Sequence, residues 1–141
     1  MTIGAIIAAR AGDVLTVECD TPIRDAVAIL SERRIGAMPV MRQGSIAGII
    51  SERDVIRCLA AEGHAALEKR VEELMTAPAI TVSPERSVLS ALSQMTDRRI
   101  RHLPVVDGDR LVGIVSIGDL VKYRIEQIER DAAAMRDYIA S

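Results

Sequence analysis

Two segments of this chain carry residues whose type and spacing suit a ligand. They are Gly48-Ile49-Ile50-Ser51-Glu52-Arg53-Asp54 and Gly113-Ile114-Val115-Ser116-Ile117-Gly118-Asp119. Each runs glycine, two apolar residues, serine, two variable residues, aspartate. A serine followed three residues later by an acid is also the pattern of a helix start, where hydroxyl and carboxylate cap free backbone N–H groups. The alternative is a binding site. The N–H groups and partial positive charge of a helix N-terminus suit a phosphate. The serine hydroxyl can donate to the same phosphate, and a carboxylate one turn on can accept from both hydroxyls of a ribose. Such a set holds a ribose phosphate without transforming it. Two copies at equivalent positions favour binding over plain capping.

The copies belong to a longer repeat. Thr16-Val17, Ala26, Arg33-Arg34-Ile35, Pro39-Val40, Gly48-Ile49, Ser51 and Asp54 all recur 65 residues later, as Thr81-Val82, Ala91, Arg98-Arg99-Ile100, Pro104-Val105, Gly113-Ile114, Ser116 and Asp119. About a dozen identities fall in roughly 46 gapless positions, where average composition gives about three.

Each half reads as β-α-β-β-α. Val14–Val17 and Ile80–Val82 are expected to be the first strands. In the first half Thr21 suits the N-cap and Pro22 the first helical position. Ile23, Ala26, Val27 and Leu30 then form one helical face, which Val88, Ala91, Leu92 and Met95 repeat. Second strands are expected at Met38–Met41 and Leu103–Val106, turns at Arg42-Gln43-Gly44 and Asp107-Gly108-Asp109, and third strands at Ile46–Ile50 and Leu111–Val115. The third strands are almost wholly apolar, so both faces should be covered. Second helices begin at Ser51 and Ser116, and the first should stop at Gly63.

A unit of about 50 residues buries too little surface to stand alone. The expected fold is therefore α/β (α+β): two pseudo-twofold-related β-α-β-β-α units packed through their sheets, plus a C-terminal helix. The expected division is 8–62 for the first unit, 63–76 for a linker with a short helix around Val71, Leu74 and Met75, 77–123 for the second unit, and 124–141 for the C-terminal helix. Running into that helix, Val121, Ile125, Ile128, Ala132, Met135 and Ile139 form an a/d stripe. It packs either on its own domain or against a partner helix, and the small residues Ala132–Ala134 favour a partner.

Composition narrows the function. The 141 residues carry a formal charge of −2, which gives no reason to expect a nucleic-acid binder. The basic runs Arg33-Arg34 and Arg98-Arg99-Ile100-Arg101 are short enough to be solvated helix ends. There are two Tyr, no Phe and no Trp. The core must be aliphatic, and a bound base must lie between aliphatic side chains, without the aromatic platforms that single-strand binders use. Cys19 and Cys58 have no metal-ligand or CxxC spacing, which points to reduced, half-buried thiols in a cytoplasmic protein. The apolar run Ile3–Ala9 is too short to span a membrane and lacks the basic flank of a signal peptide.

An enzyme and a purely structural dimer are the rival readings. Ser116, His102 and Asp119 include the residue types of a hydrolytic triad. However, the serine and aspartate share one helix turn, and the serine follows no G-x-S-x-G elbow. No metal constellation is present. Intact Ser-x-x-Asp motifs in both halves argue against degenerate, purely structural clefts.

The paired Gly-h-h-Ser-x-x-Asp segments resemble the nucleotide motif of CBS (cystathionine-β-synthase) domains. Arg34–Val40 and Arg99–Val105 are similar to that family's second strand. The resemblance covers about residues 10–124 and implies a tandem pair, the Bateman module. It implies two clefts, in each of which the Ser-x-x-Asp of one half faces the first strand and the start of the second strand of the other. One site would combine Ser116 and Asp119 with Leu15, Ile35 and Gly36. The other would combine Ser51 and Asp54 with Ile80, Ile100 and Arg101. Arg101 and His102 resemble positions that approach phosphates. Their counterparts are Gly36 and Ala37, so the clefts should differ in charge. Arg53 is expected to add a cation or to sit in solvent; its counterpart is Gly118. The resemblance further implies a regulatory adenine-nucleotide ligand (AMP, ADP, ATP or NAD(H)), no catalytic cofactor, an effector protein of unknown identity, and a homodimer through the domain helices and the C-terminal helix.

Overall fold

The computed structural model describes residues 1–10 and 12–141. Along the chain the elements are α1 (Ile3–Ala9), β1 (Val17–Glu18), α2 (Ile23–Arg33), β2 (Ala37–Arg42), β3 (Ser45–Ser51) and α3 (Glu52–Glu62). A 3₁₀ segment (Gly63–Glu68), α4 (Val71–Leu74), α5 (Val88–Arg98), β4 (His102–Asp107), β5 (Arg110–Ser116) and α6 (Ile117–Ala140) follow.

The two halves are built by the same local rules. Positive φ at Gln43 (51°) and Gly44 (79°) turns β2 tightly into antiparallel β3, and Gly108 (φ 64°) sits at the matching turn of β4 and β5. Both hairpins carry a register shift at the same place, Val40/Met41 and Val105/Val106. Both α2 and α5 end on a left-handed arginine, Arg34 (φ 54°) and Arg99 (φ 55°), whose N–H groups close the last turn.

The first strands are shorter than the sequence suggests. In the first half only Val17–Glu18 pair with β2, in parallel. In the second, Val82 makes a single bridge to Val105. Pro84 follows two residues later and has no N–H to continue a ladder. Val14 and Leu15 stay out of the sheet. The start of α2 also differs from expectation. The cap position is Pro22, with no side-chain cap, and the helix starts at Ile23. The Thr21 carbonyl instead accepts from Val71 N–H at 2.8 Å. At the equivalent position Ser87 caps α5 in the ordinary way, accepting from Ser90 N–H at 3.1 Å.

That Thr21–Val71 bond belongs to an exchange of segments between the halves. The core of the first half contains Ile23, Ala26, Met38, Val40 and Ile50, and it takes in Val71 from α4. The core of the second contains Ala91, Leu103, Val105 and Leu120, and it takes in Ile3 and Ile6 from α1. Helix α1 went unnoticed in the sequence, where its apolar residues read only as a run too short for a membrane. It is tied down by Ile3 N–H to the Arg86 carbonyl (2.9 Å) and Gly4 N–H to the Pro84 carbonyl (2.8 Å). Each half is thus completed by the segment that precedes the other, and β3 and β5 lie against one another between them.

Gly63 ends α3 with φ 65°. Helix α6 has no break at residue 124: it is one helix of 24 residues from Ile117 to Ala140. Its stripe lies open, with Ile125 and Ile128 each 51% exposed and Met135 60%. These side chains do not pack on their own domain.

Candidate functional site

Capping is real at both Ser-x-x-Asp segments. Ser51 N–H donates to Asp54 Oδ2 at 2.9 Å, and Asp54 N–H donates to Ser51 Oγ at 3.3 Å. The corresponding bonds at Ser116 and Asp119 are 2.9 and 3.1 Å. The same bonds hold each carboxylate at the helix start with its Oδ2 oxygen engaged, which leaves Oδ1 to face whatever lies in front. The left-handed arginines then aim the chain at these helix ends. Beyond them, the Gly36 carbonyl accepts from Glu52 N–H at 3.0 Å and the Arg101 carbonyl from Ile117 N–H at 2.8 Å.

In front of the first motif lies a cavity of about 480 Å³. Ser51, Arg53 and Asp54 line it from one half, and Ile100, Arg101 and His102 from the other. The cavity also collects Ile49, Ile56, Arg57, Arg99 and Thr76, so that four arginines face only two carboxylates, Glu52 and Asp54. Thr76 Oγ1 donates to Asp54 Oδ1 at 3.2 Å.

The cleft on the other side is smaller, about 210 Å³, and mostly apolar: Leu15, Ile35, Ala37, Val112 and Ile114 line it with Arg10 and Asp13. Ser116 and Asp119 are joined to it through Arg10, whose guanidinium donates to the Ile114 carbonyl at 2.6 Å and pairs with Asp119 Oδ2 at 2.6 Å. A wider depression of about 650 Å³ opens beyond it at the hairpin turns, by Gly44 and Asp109, away from both helix starts.

Four residues fall elsewhere than the resemblance implied. Ser116 and Asp119 are not walls of the cleft that holds Leu15 and Ile35 and meet it only through Arg10. Gly36 lines the Ser51/Asp54 cavity rather than the cleft of Leu15 and Ile35, because the His102 ring stands against it; a Cβ on Gly36 would lie 3.2 Å from the imidazole. Ile80 packs against the second core and is not a wall of the cavity, since the strand meant to carry it makes only the Val82 bridge. Arg53, for which solvent was the rival reading, lines the cavity. Arg57, Arg99, Thr76 and Arg10 were missed. Arg57 was within reach of the sequence, since it lies one turn after Arg53 on the same helical face.

Burial holds the His102 pKa below the usual imidazole value, against the pull of Asp119 and Glu52 and with the help of Arg101. Burial pushes the Asp119 pKa up, but the Ser116 hydrogen bonds and Arg10 outweigh it and hold the carboxyl below its usual value. Both cysteines are free and half-buried. Among the described residues no group of His, Cys, Asp and Glu could hold a metal, and no helix is long and apolar enough to cross a membrane.

Two interlocked copies of one unit, with paired capped Ser-x-x-Asp helix starts and clefts between the halves, define a tandem CBS-type architecture. The comparisons agree. The CBS domain family matches residues 7–61 and 71–126, and the chain belongs to it. Among curated relatives, the mitochondrial CBS domain-containing protein CBSX3 of Arabidopsis thaliana is 36% identical over 91% of this chain and 65% of its own length. YhcV of Bacillus subtilis, a CBS domain-containing protein, is 32% identical over 85% and 83%. The chain thus spans just under two thirds of the plant relative and most of the bacterial one. Among solved structures, a protein with CBS domains from Burkholderia ambifaria is 39% identical with a TM-score of 0.84, covering 89% of this chain and 95% of that one. The CBS domain pair of protein MJ0100, in complex with 5′-methylthioadenosine and S-adenosyl-L-methionine, is 27% identical with a TM-score of 0.79, covering 90% and 98%. CBSX2 in complex with AMP is 25% identical with a TM-score of 0.76, covering 91% and 98%.

Proposed function

We propose that this chain is a regulatory module that binds an adenine nucleotide (AMP, ADP, ATP or NAD(H)) in the Ser51/Asp54 cleft and does not transform it. The observation that carries the proposal is the 480 Å³ cavity in which Ser51, Asp54, His102 and four arginines converge. The α3 N-terminus, Arg53, Arg57, Arg99 and Arg101 receive the phosphates. Asp54 Oδ1 takes the ribose hydroxyls once the Thr76 hydroxyl turns away. Ile49, Ile56 and Ile100 flank the base. Ligand-bound CBS pairs support the choice of an adenosyl compound, since methylthioadenosine, S-adenosylmethionine and AMP all occur in them.

The ligand touches both halves. Its binding therefore favours one relative arrangement of them, which a partner protein in the cytoplasm then reads. Isothermal titration with AMP, ADP, ATP and NAD(H), followed by chromatography of the recovered ligand, tests this. Binding with the ligand recovered intact supports it. Absence of binding by all four, or turnover, overturns it.

The open α6 stripe supports a second element of the proposal, a homodimer through this helix and the exposed apolar residues Leu59 and Leu89 of α3 and α5. Ile128→Asp should place a charge in that seam, cost several kcal/mol of association and shift the chain to monomer in analytical ultracentrifugation. Nucleotide binding should persist, because the clefts are built within one chain. A monomeric wild type would remove the dimer and leave the clefts.

A further inference from the structure

The two capping boxes are alike, and yet a different group stands before each carboxylate. At Asp54 it is a neutral hydroxyl, Thr76, donating to Oδ1 at 3.2 Å. At Asp119 it is a cation, Arg10, paired at 2.6 Å, whose guanidinium also donates to the Ile114 carbonyl at 2.6 Å. Arg10 is the C-cap of α1, and α1 is fastened to the second half through the buried Ile3 and Ile6. A docked helix, not a loose tail, presents the guanidinium.

Arg10 takes Oδ2, the oxygen the cap also engages, so a ribose diol that spans both oxygens of Asp119 would have to displace the ion pair, whereas at Asp54 it need only rotate a hydroxyl off Oδ1. We propose that Arg10 is the specificity-determining residue of the second cleft: it withholds Asp119 from ribose hydroxyls, so that the Ser51/Asp54 cleft fills first. The proposal rests on the reading of the clefts as nucleotide sites. Arg10 is supplied by the segment before the first half, so displacing it would also release α1 from one of its contacts with the second half. Occupancy of the second cleft is thereby coupled to the N-terminal segment.

The side chains of Arg10 and Asp119 are 38% and 41% exposed. Solvent therefore weakens the pair, and the competition is worth roughly three- to tenfold in affinity rather than the larger factor of a buried pair. The pseudo-twofold supplies the substitution. The counterpart of Arg10 is Met75, which packs its sulfur by Gly48. Arg10→Met removes the charge and keeps an unbranched side chain.

The experiment is titration calorimetry of the full chain with AMP and with adenosine. It is done in an Asp54→Ala background that also carries Arg53→Ala and Arg101→Ala, so that the first cleft loses its ribose acceptor and two of its phosphate contacts and the second cleft reports. Adding Arg10→Met should tighten AMP roughly three- to tenfold, and adenosine by the same factor, because the contest is over the ribose. Arg10→Lys, which keeps the charge, should change affinity much less. Weaker AMP binding in the Arg10→Met chain would overturn the proposal, showing that Arg10 reads the phosphate instead. Unchanged affinity would also overturn it, while wild-type binding of AMP would leave the proposed function standing. If neither the wild type nor any variant binds AMP or adenosine, the nucleotide reading fails and the guard role fails with it.

Discussion

The Ser51/Asp54 cleft and the Ser116/Asp119 cleft start from the same seven-residue pattern and end as different sites. The first is roomy and lined by four arginines and a histidine. The second is less than half the volume, largely apolar, and its carboxylate is already paired with Arg10. The motif itself accounts only for the shared part: a capped helix start and one carboxylate oxygen facing outwards. What surrounds the carboxylate comes from the other half and from the segment that precedes it. His102 and Arg101 stand where the opposite half has Ala37 and Gly36. Thr76 follows α4 and Arg10 caps the end of α1. Charge and access in this architecture are therefore decided by the residues around the signature, from the facing half and the exchanged segments, more than by the signature itself.

The largest effects should come from the seats of those exchanged segments. Gly48 and Gly113 occupy equivalent places on β3 and β5, but their surroundings differ. A Cβ on Gly48 would lie 2.6 Å from the Thr76 carbonyl, which is backbone, and 2.9 Å from the Met75 sulfur. A Cβ on Gly113 would lie 2.4 Å from Ile7 Cδ1, the far end of a side chain. Gly48→Val should cost about 3 kcal/mol, a fall in Tm of about 10 °C, and should push Thr76 out of the first cleft. Gly113→Val should cost about half as much, because Ile7 can change rotamer. Differential scanning calorimetry of both variants checks this. Equal losses would show that α1 is as rigidly seated as α4.

Next in size is the contrast between the aspartates. Asp54→Ala removes a carboxylate proposed to accept from the ribose and should weaken AMP by about 2 kcal/mol, roughly thirtyfold in Kd. Asp119→Ala should change AMP affinity less than threefold, since Arg10 already withholds that carboxylate. Both variants lose an N3 cap of the same geometry, so both should lose a similar 0.5–1 kcal/mol of stability. Titration calorimetry and thermal melts of the pair separate binding from capping. Equal binding losses would contradict the asymmetry.

The contrast also explains how much was legible beforehand. Helices α2 and α5, both hairpins, both serine caps and the stop at Gly63 follow from short-range pattern, and the repeat doubled each signal. The expectation that Arg101 and His102 would make the clefts differ in charge came instead from the family resemblance. Two kinds of feature escaped. Strand pairing at Val17 and Val82 is set by partners elsewhere in the chain and by prolines, so apolar runs overstated it. The Arg10–Ile114 contact spans 104 residues, and the Thr76–Asp54 contact depends on α4 docking back on the first half. Neither leaves a local periodicity to read. Gly36 moved to the opposite cleft for a similar reason, since its position is determined by a ring from the other hairpin.

The smallest effect concerns His102, which exists only in the first cleft. Burial holds its pKa below the ordinary value near 6.5. In the free protein the unfolded chain therefore binds this proton more readily than the folded one. Stability is complete above about pH 6.5 and declines as the pH falls from there towards the depressed folded value. A bound phosphate reverses the preference, because an anion beside the ring favours imidazolium. Glu52 and Asp119 already pull that way, and Arg101 opposes them. Nucleotide binding should therefore take up a fraction of a proton, and affinity should rise about two- to threefold between pH 8 and pH 6 while the free protein grows less stable over the lower part of that range. Titrations in buffers of different ionisation heat measure the proton directly. His102→Asn keeps a polar side chain of similar size and should abolish both the uptake and the pH dependence. If it does not, the proton belongs to the phosphate itself, and the two clefts differ by their arginines alone.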